Sequence, residues 1–152
     1  MSDSERPIRE VTRNRRAKYD FEILETLEVG VALQGTEVKT LRAGEVSLGE
    51  AFVRIRNGQM WLEQARIDEY REGNRHNHDP SRPRRLLAHK REIEKWAQRM
   101  KEKGLTIVPI SLYFRGRVVK LEIGLGKGRK RHDKRQVMKD RDSRRELRKF
   151  TR

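Results

Sequence analysis

The sequence predicts a mainly β domain with helices, followed by a basic tail. Apolar and polar residues alternate over four separate stretches, the period of half-buried strands. One longer stretch instead carries helical spacing. After Leu125 the apolar content collapses while Lys and Arg accumulate.

Residues 1–12 mix Ser, Asp, Glu, Arg and Pro without a period and are expected to be a flexible N-terminal tail. The folded domain is expected over residues 13–125. Within it Tyr19, Phe21 and Ile23 alternate with acidic residues, and Val29, Val31 and Leu33 alternate with Gly30 and Ala32. The phase slips between Ile23 and Val29, which predicts a bend or bulge. Gly35 breaks that run. Thr36 is placed to cap a short helix through Thr40, Leu41 and Arg42, with Val38 and Leu41 as its buried face and Gly44 as its stop.

Asn57-Gly58 signals a two-residue hairpin turn, because both central positions need positive φ. Pairing across it sets Ile55 opposite Met60 and Val53 opposite Leu62 on an apolar face. Arg54 then falls opposite Trp61 on the other face, in position for a cation–π contact. Glu69 to Pro83 reads as a long polar loop. Ile93, Trp96, Ala97 and Met100 recur at helical spacing, with Gly104 as the stop. Val108, Ile110, Leu112 and Phe114 are expected on one face of a strand, and Val119, Leu121, Ile123 and Leu125 on one face of the next. Arg115-Gly116 marks the hairpin between them. Short antiparallel strands with one substantial helix fit a small, partly closed β-barrel resembling an oligonucleotide-binding fold. A sandwich is harder to build from so few strands.

Residues 126–152 form the basic C-terminal tail, with 13 Lys or Arg against 4 Asp or Glu, a formal +9 of the chain's +15. Alone, this tail is expected to be disordered, since it buries too little to offset its ordering entropy. Asp140 and Arg144 stand at i,i+4, so it can become helical on a partner. Such an excess of cations points to a polyanion, most often nucleic acid. A membrane partner is disfavoured, because no helix pairs a strongly apolar face with a basic one. With no apolar leader and no run long enough to span a bilayer, the expected location is the cytoplasm.

There is no cysteine, so disulfides and thiolate metal sites are excluded. Gly124, Gly126 and Gly128 lead into the basic tail and lack the Lys-Ser/Thr of a phosphate loop. His76, His78 and Asp79 are the candidate metal ligands, as in a metal-dependent nuclease. Their spacing is not a compact ligand pattern, so no metal and no cofactor is expected. The rival readings of the loop are turns capped by its own Asn and Asp side chains, or an RNA contact. Arg54, Arg56 and Trp61 offer a possible stacking surface, although Trp61 also suits a core position.

Several segments in order carry a resemblance. They are Asn14 to Ala17, Gly35 to Gly44, Gly73 to Pro80, Arg84 to Ile93, Gly104 to Pro109, and Gly126 through His132-Asp133-Lys134-Arg135. Together they resemble the SmpB (small protein B) family from about Asn14 to the end. The resemblance implies a non-enzymatic protein that binds the tRNA-like domain of transfer-messenger RNA and, as a monomer when free, carries that RNA to stalled ribosomes. There it lets translation resume on the RNA's tag-coding frame. By position, Asn14, Glu28, Leu87 and Lys120 match places the family uses to bind or support the RNA. Leu87 also suits a core, and Glu28 an edge-strand charge that deters aggregation. His132, Asp133, Lys134 and Arg135 match the tail segment that reaches the decoding centre, the rest of the tail lying as a helix in the mRNA channel. Thr40 stands where Ser is usual, Ala88 where Leu is common, and Ser143 where some members carry an aromatic, so no stacking contact is assigned there. The alternatives are a structural ribosomal protein and the nuclease built on His76, His78 and Asp79.

Overall fold

A computed structural model describes residues 6–73, 76–102 and 104–150, apart from the side chains of 131–133 and 146–150. In chain order the elements are β1 (Ile8–Arg13), α1 (Ala17–Asp20), β2 (Phe21–Val31), α2 (Gly35–Arg42), β3 (Val46–Ser47), β4 (Phe52–Arg56) and β5 (Gln59–Glu63). They continue as β6 (Arg66–Ile67), β7 (Arg84–Leu87), α3 (Lys90–Arg99), β8 (Leu105–Arg115), β9 (Val118–Gly128) and α4 (Arg131–Phe150). The protein is mainly β with a few helices.

The large sheet is antiparallel, in the order β1-β8-β4-β5-β7-β2-β9, and β8 also pairs with β9. The pairings from β8 through β4, β5, β7, β2 and β9 therefore return to β8. Eleven-residue β8 makes this possible: it pairs with β9 along its length, with β4 at Val53↔Ile107 and with β1 from Ser111 to Arg115. The inner face holds the main core, including Val29, Leu41, Met60, Leu62, Leu86, Ile107, Leu121, Ile123 and Leu125. Helix α3 adds Ile93 and Trp96, which are 7% and 3% exposed. Its N-terminus is closed reciprocally by His89 and Glu92.

The 57–58 turn forms as its residues require, with φ of 51° at Asn57 and 74° at Gly58. Its register is Val53↔Leu62, Arg54↔Trp61 and Ile55↔Met60. The slip expected in β2 is a bulge between Ile23 and Glu25. A second bulge, between Pro109 and Ser111 of β8, overturns one expectation. Leu112 and Phe114 lie in the main core, but Val108 and Ile110 turn outward into a small second cluster with Ala17, Phe21 and Ile23. Gly124 and Gly126 make room for that cluster. A Cβ on Gly124 would stand 2.8 Å from Ile110 Cδ1, and one on Gly126 2.9 Å from Phe21 Cβ.

Four further expectations are corrected. Residues 8–12, assigned to a flexible tail, belong to strand β1, because β4 leaves the Ser111–Arg115 edge of β8 unpaired. Tyr19 belongs to the single-turn helix α1, not to a strand. The tail from residue 126, expected to be disordered, continues β9 to Gly128 and then forms α4. Helix α2 is capped by Gln34 instead of Thr36, through a box with Glu37. It buries Glu37, Thr40 and Leu41. Both oxygens of Glu37 are used by Arg82 and Arg84, with Arg84 Nε donating at 2.7 Å. Arg84 Nη1 also donates to Ala65 O at 2.7 Å, so this ion pair ties α2 to β7 and to the chain ahead of β6.

Candidate nucleic-acid interface

Residues opposite one another in a sheet point to the same side, so the registers define the outer surface. Leu87 pairs with Gly30, Gly30 with Lys120, and Lys120 with Tyr113. The next row is Glu28, Glu122, Ser111 and Arg13. Three of the sequence-predicted residues thus gather on one outer face: Glu28, Leu87 and Lys120. Leu87 is 50% exposed and is not core. A Cβ on Gly30 would stand 3.2 Å from Leu87 Cβ, so the glycine leaves a notch between Leu87 and Lys120. Glu28 pairs with Glu122 of β9, while on its other side the pairing of β2 with β7 begins only at Gly30.

Glu28 is held by its neighbours. The Tyr113 hydroxyl donates to Glu28 Oε2, and Arg115 Nη2 donates to the same oxygen at 2.8 Å. Burial opposes its charge, but hydrogen bonds from Arg115 and Tyr113, with the charges of Arg115 and Lys120, keep its carboxyl below the usual range. Burial first, and then the adjacent Glu28, push the Tyr113 phenol upward. The pair presents a fixed carboxylate beside a fixed cation. Neither Tyr113 nor Arg115 was expected from the sequence to belong to this site. Their signal is the two-residue period of β8, but placing them beside Glu28 requires the β8–β9–β2 register.

Asn14 lies apart from that cluster. Its backbone N–H donates to Ile110 O at 2.7 Å and its Nδ2 to Pro109 O at 3.1 Å, fastening the end of β1 to the bulge of β8. It also lines a cleft of about 590 Å³ between the body and α4, among Arg13, Arg15, Lys18, Arg141 and Arg144. Lys134 bridges the two sides, 3.5 Å from Asp20 and 5.6 Å from the Tyr19 ring centre. Arg129 fixes the approach to α4, its N–H donating to Asp20 O at 2.9 Å and its Nε to Lys18 O at 3.1 Å. Arg135 is exposed on α4. The backbone of His132 and Asp133 belongs to α4, and their side chains lie outside the described residues.

In the 69–83 loop, Asn74 and Arg75 lie outside the described residues. His78 is 4% exposed and both ring nitrogens are engaged. Ile67 O lies 2.9 Å from Nε2, which makes Nε2 the donor, and the Thr36 hydroxyl then donates to Nδ1 at 2.9 Å. Asp79 Oδ1 accepts the Ser81 N–H at 3.0 Å. Among the described residues no group of three or more His, Asp or Glu side chains is placed to hold a metal ion. The His78 imidazole is thus a structural pin for α2.

The family model described as SmpB protein matches residues 11–152. The chain belongs to the SmpB family. An SsrA-binding protein of Carboxydothermus hydrogenoformans is 51% identical over 142 residues, 93% of this chain and 95% of the relative. One from Lactobacillus acidophilus is 47% identical over 138 residues, 91% of each chain. Among solved structures, a chain from one described as "tmRNA-SmpB: a journey to the center of the bacterial ribosome" matches with a TM-score of 0.67 at 44% identity. It covers 84% of this chain and 93% of that one. In this SmpB-family member, three of the four carried-over body residues share one surface, while the fourth, Asn14, stands where the body meets α4.

Proposed function

We propose that this protein binds transfer-messenger RNA, brings it to stalled ribosomes and supports tagging of the nascent chain for degradation. The observation that carries this reading is the outer face on which Leu87, Lys120 and Glu28 occupy two adjacent cross-strand rows. Lys120 offers a cation to phosphate, Leu87 an apolar surface to a ribose or base, and Glu28 an acceptor for base or sugar donors. The closed ring of six strands is read as a small barrel of the oligonucleotide-binding type, recognising the tRNA-like domain by its shape. Asn14 extends the RNA surface towards the tail. His132, Asp133, Lys134 and Arg135 act at the decoding centre, with α4 in the mRNA channel. The protein works by binding, as a cytoplasmic monomer until it meets its RNA. No helix among the described residues is long and apolar enough to cross a membrane.

The test is a gel-shift titration against transfer-messenger RNA and ordinary tRNA in moderate salt with excess competitor. Selective binding of transfer-messenger RNA is expected. Lys120→Ala and Leu87→Ala are each expected to weaken it while leaving the thermal midpoint unchanged. Equal, weak, salt-sensitive binding of both RNAs would instead favour a generic basic ribosomal protein.

A further inference from the structure

The outer face continues past Leu87. Side chains of β7 alternate: Arg84 and Leu86 are buried, Arg85 and Leu87 exposed. Arg85 therefore shares the side of the sheet occupied by Leu87, about 7 Å along the strand. Arg85 pairs with Trp61 of β5, and Trp61 with Arg54 of β4. The result is a row of guanidinium, indole and guanidinium across three strands, with Trp61 diagonal to Leu87.

The inward neighbours on those strands are Met60, Leu62 and Val53, each at most 2% exposed, so the core is complete without Trp61. Trp61 is half-buried on the outside, whereas Trp96, the other tryptophan, is 3% exposed beneath α3. Arg54 pairs with Glu63 at 3.1 Å, and among the described residues it makes no cation–π contact with the indole. Arg85 and the neighbouring Arg56 are exposed, and among the described residues neither meets a carboxylate. Two uncompensated cations flank an indole, and the patch runs without a break into the face assigned to RNA.

The geometry points to Trp61 as a stacking platform for one unpaired base of the bound transfer-messenger RNA, with Arg85 holding an adjacent phosphate. An indole face stacks on any base, and a guanidinium beside it fixes the backbone that carries the base. The inference rests on the RNA-binding reading above and extends its footprint from β9, β2 and β7 onto β5. Glu63 lies at the far side of the row and limits the patch there, since a carboxylate repels the strand.

Fluorescence of the full-length protein titrated with transfer-messenger RNA tests this, with a gel-shift run in parallel. Saturable quenching is expected in the unsubstituted protein and is expected to vanish in Trp61→Phe, which keeps an aromatic face and most of the affinity. Trp61→Ala is expected to weaken binding about tenfold. Arg85→Gln is expected to reduce the slope of log K against log salt by slightly less than one unit, the signature of one lost phosphate contact. Binding in the gel-shift without quenching, or full affinity in Trp61→Ala, would overturn the platform and leave the RNA-binding reading standing. Loss of tagging in Trp61→Ala at full RNA affinity would also overturn it, moving the patch to a ribosomal contact. No binding of transfer-messenger RNA by the unsubstituted protein would overturn both.

Discussion

Glu37 has no solvent contact, yet its carboxylate meets two arginines, of which Arg84 is equally buried and Arg82 is 25% exposed. Burial opposes its charge, and the bonds from Arg82, the Gln34 N–H and Arg84 outweigh that, holding the carboxyl below its usual value of 4.5. A folded value below the unfolded one adds stability that is present above about pH 4.5 and lost as pH falls through the depressed value. Thermal unfolding midpoints are expected to drop on acidification from pH 5 towards 3, and Glu37→Gln should flatten part of that limb. Removing one partner of a buried pair costs about 3–5 kcal/mol, a fall of roughly 6–20 °C for a chain of this size. A Gln variant that melts with the parent would show that the pair contributes nothing net. At this scale the sequence was informative about residue type and silent about surroundings. Leu87 suited a core by its chemistry, and only its outward phase on β7 exposes it. His78 suited a metal ligand until Thr36 and Ile67 took both its nitrogens.

Elements were readable where a local rule fixes them. The 57–58 turn sets its own register, and β2 betrays its bulge because the alternation breaks in view. The β8 bulge is hidden, because Val108, Ile110, Leu112 and Phe114 are all apolar and a change of face alters nothing in the pattern. Strand β1 is hidden for another reason: its pairing partner lies about a hundred residues away. Helix α4 carries many good helix formers, and its polar contacts to α1 replace the apolar stripe it lacks. The notch at Gly30 also belongs to this scale, since it depends on β7 crossing β2 closely. Gly30→Val should press on Leu87, fill the space beside Lys120 and reduce affinity for transfer-messenger RNA several-fold, measured by gel-shift, while β2 keeps its pairing. Unchanged affinity would mean that RNA does not enter the notch.

Across the whole molecule, charge and fold are divided unevenly. The residues after Leu125 carry a formal +9 of +15, yet the core lies in the body. Removing 130–152 spares β9, which ends at Gly128, and is expected to leave a cooperative unfolding transition and substantial binding to transfer-messenger RNA. Tagging on stalled ribosomes is expected to be abolished. Loss of RNA binding by a folded truncated protein would place the affinity in the tail instead. The closing strand has one more effect, on how the protein is made. Strand β9 is hydrogen-bonded to both β2 and β8, so a growing chain cannot complete its sheet until residue 128 of 152 has been synthesised and released from the exit tunnel. Until then β2 waits with an unpaired edge nearly a hundred residues from the segment that will cover it, a long-range closure that favours slow folding and exposes the nascent chain to mispairing.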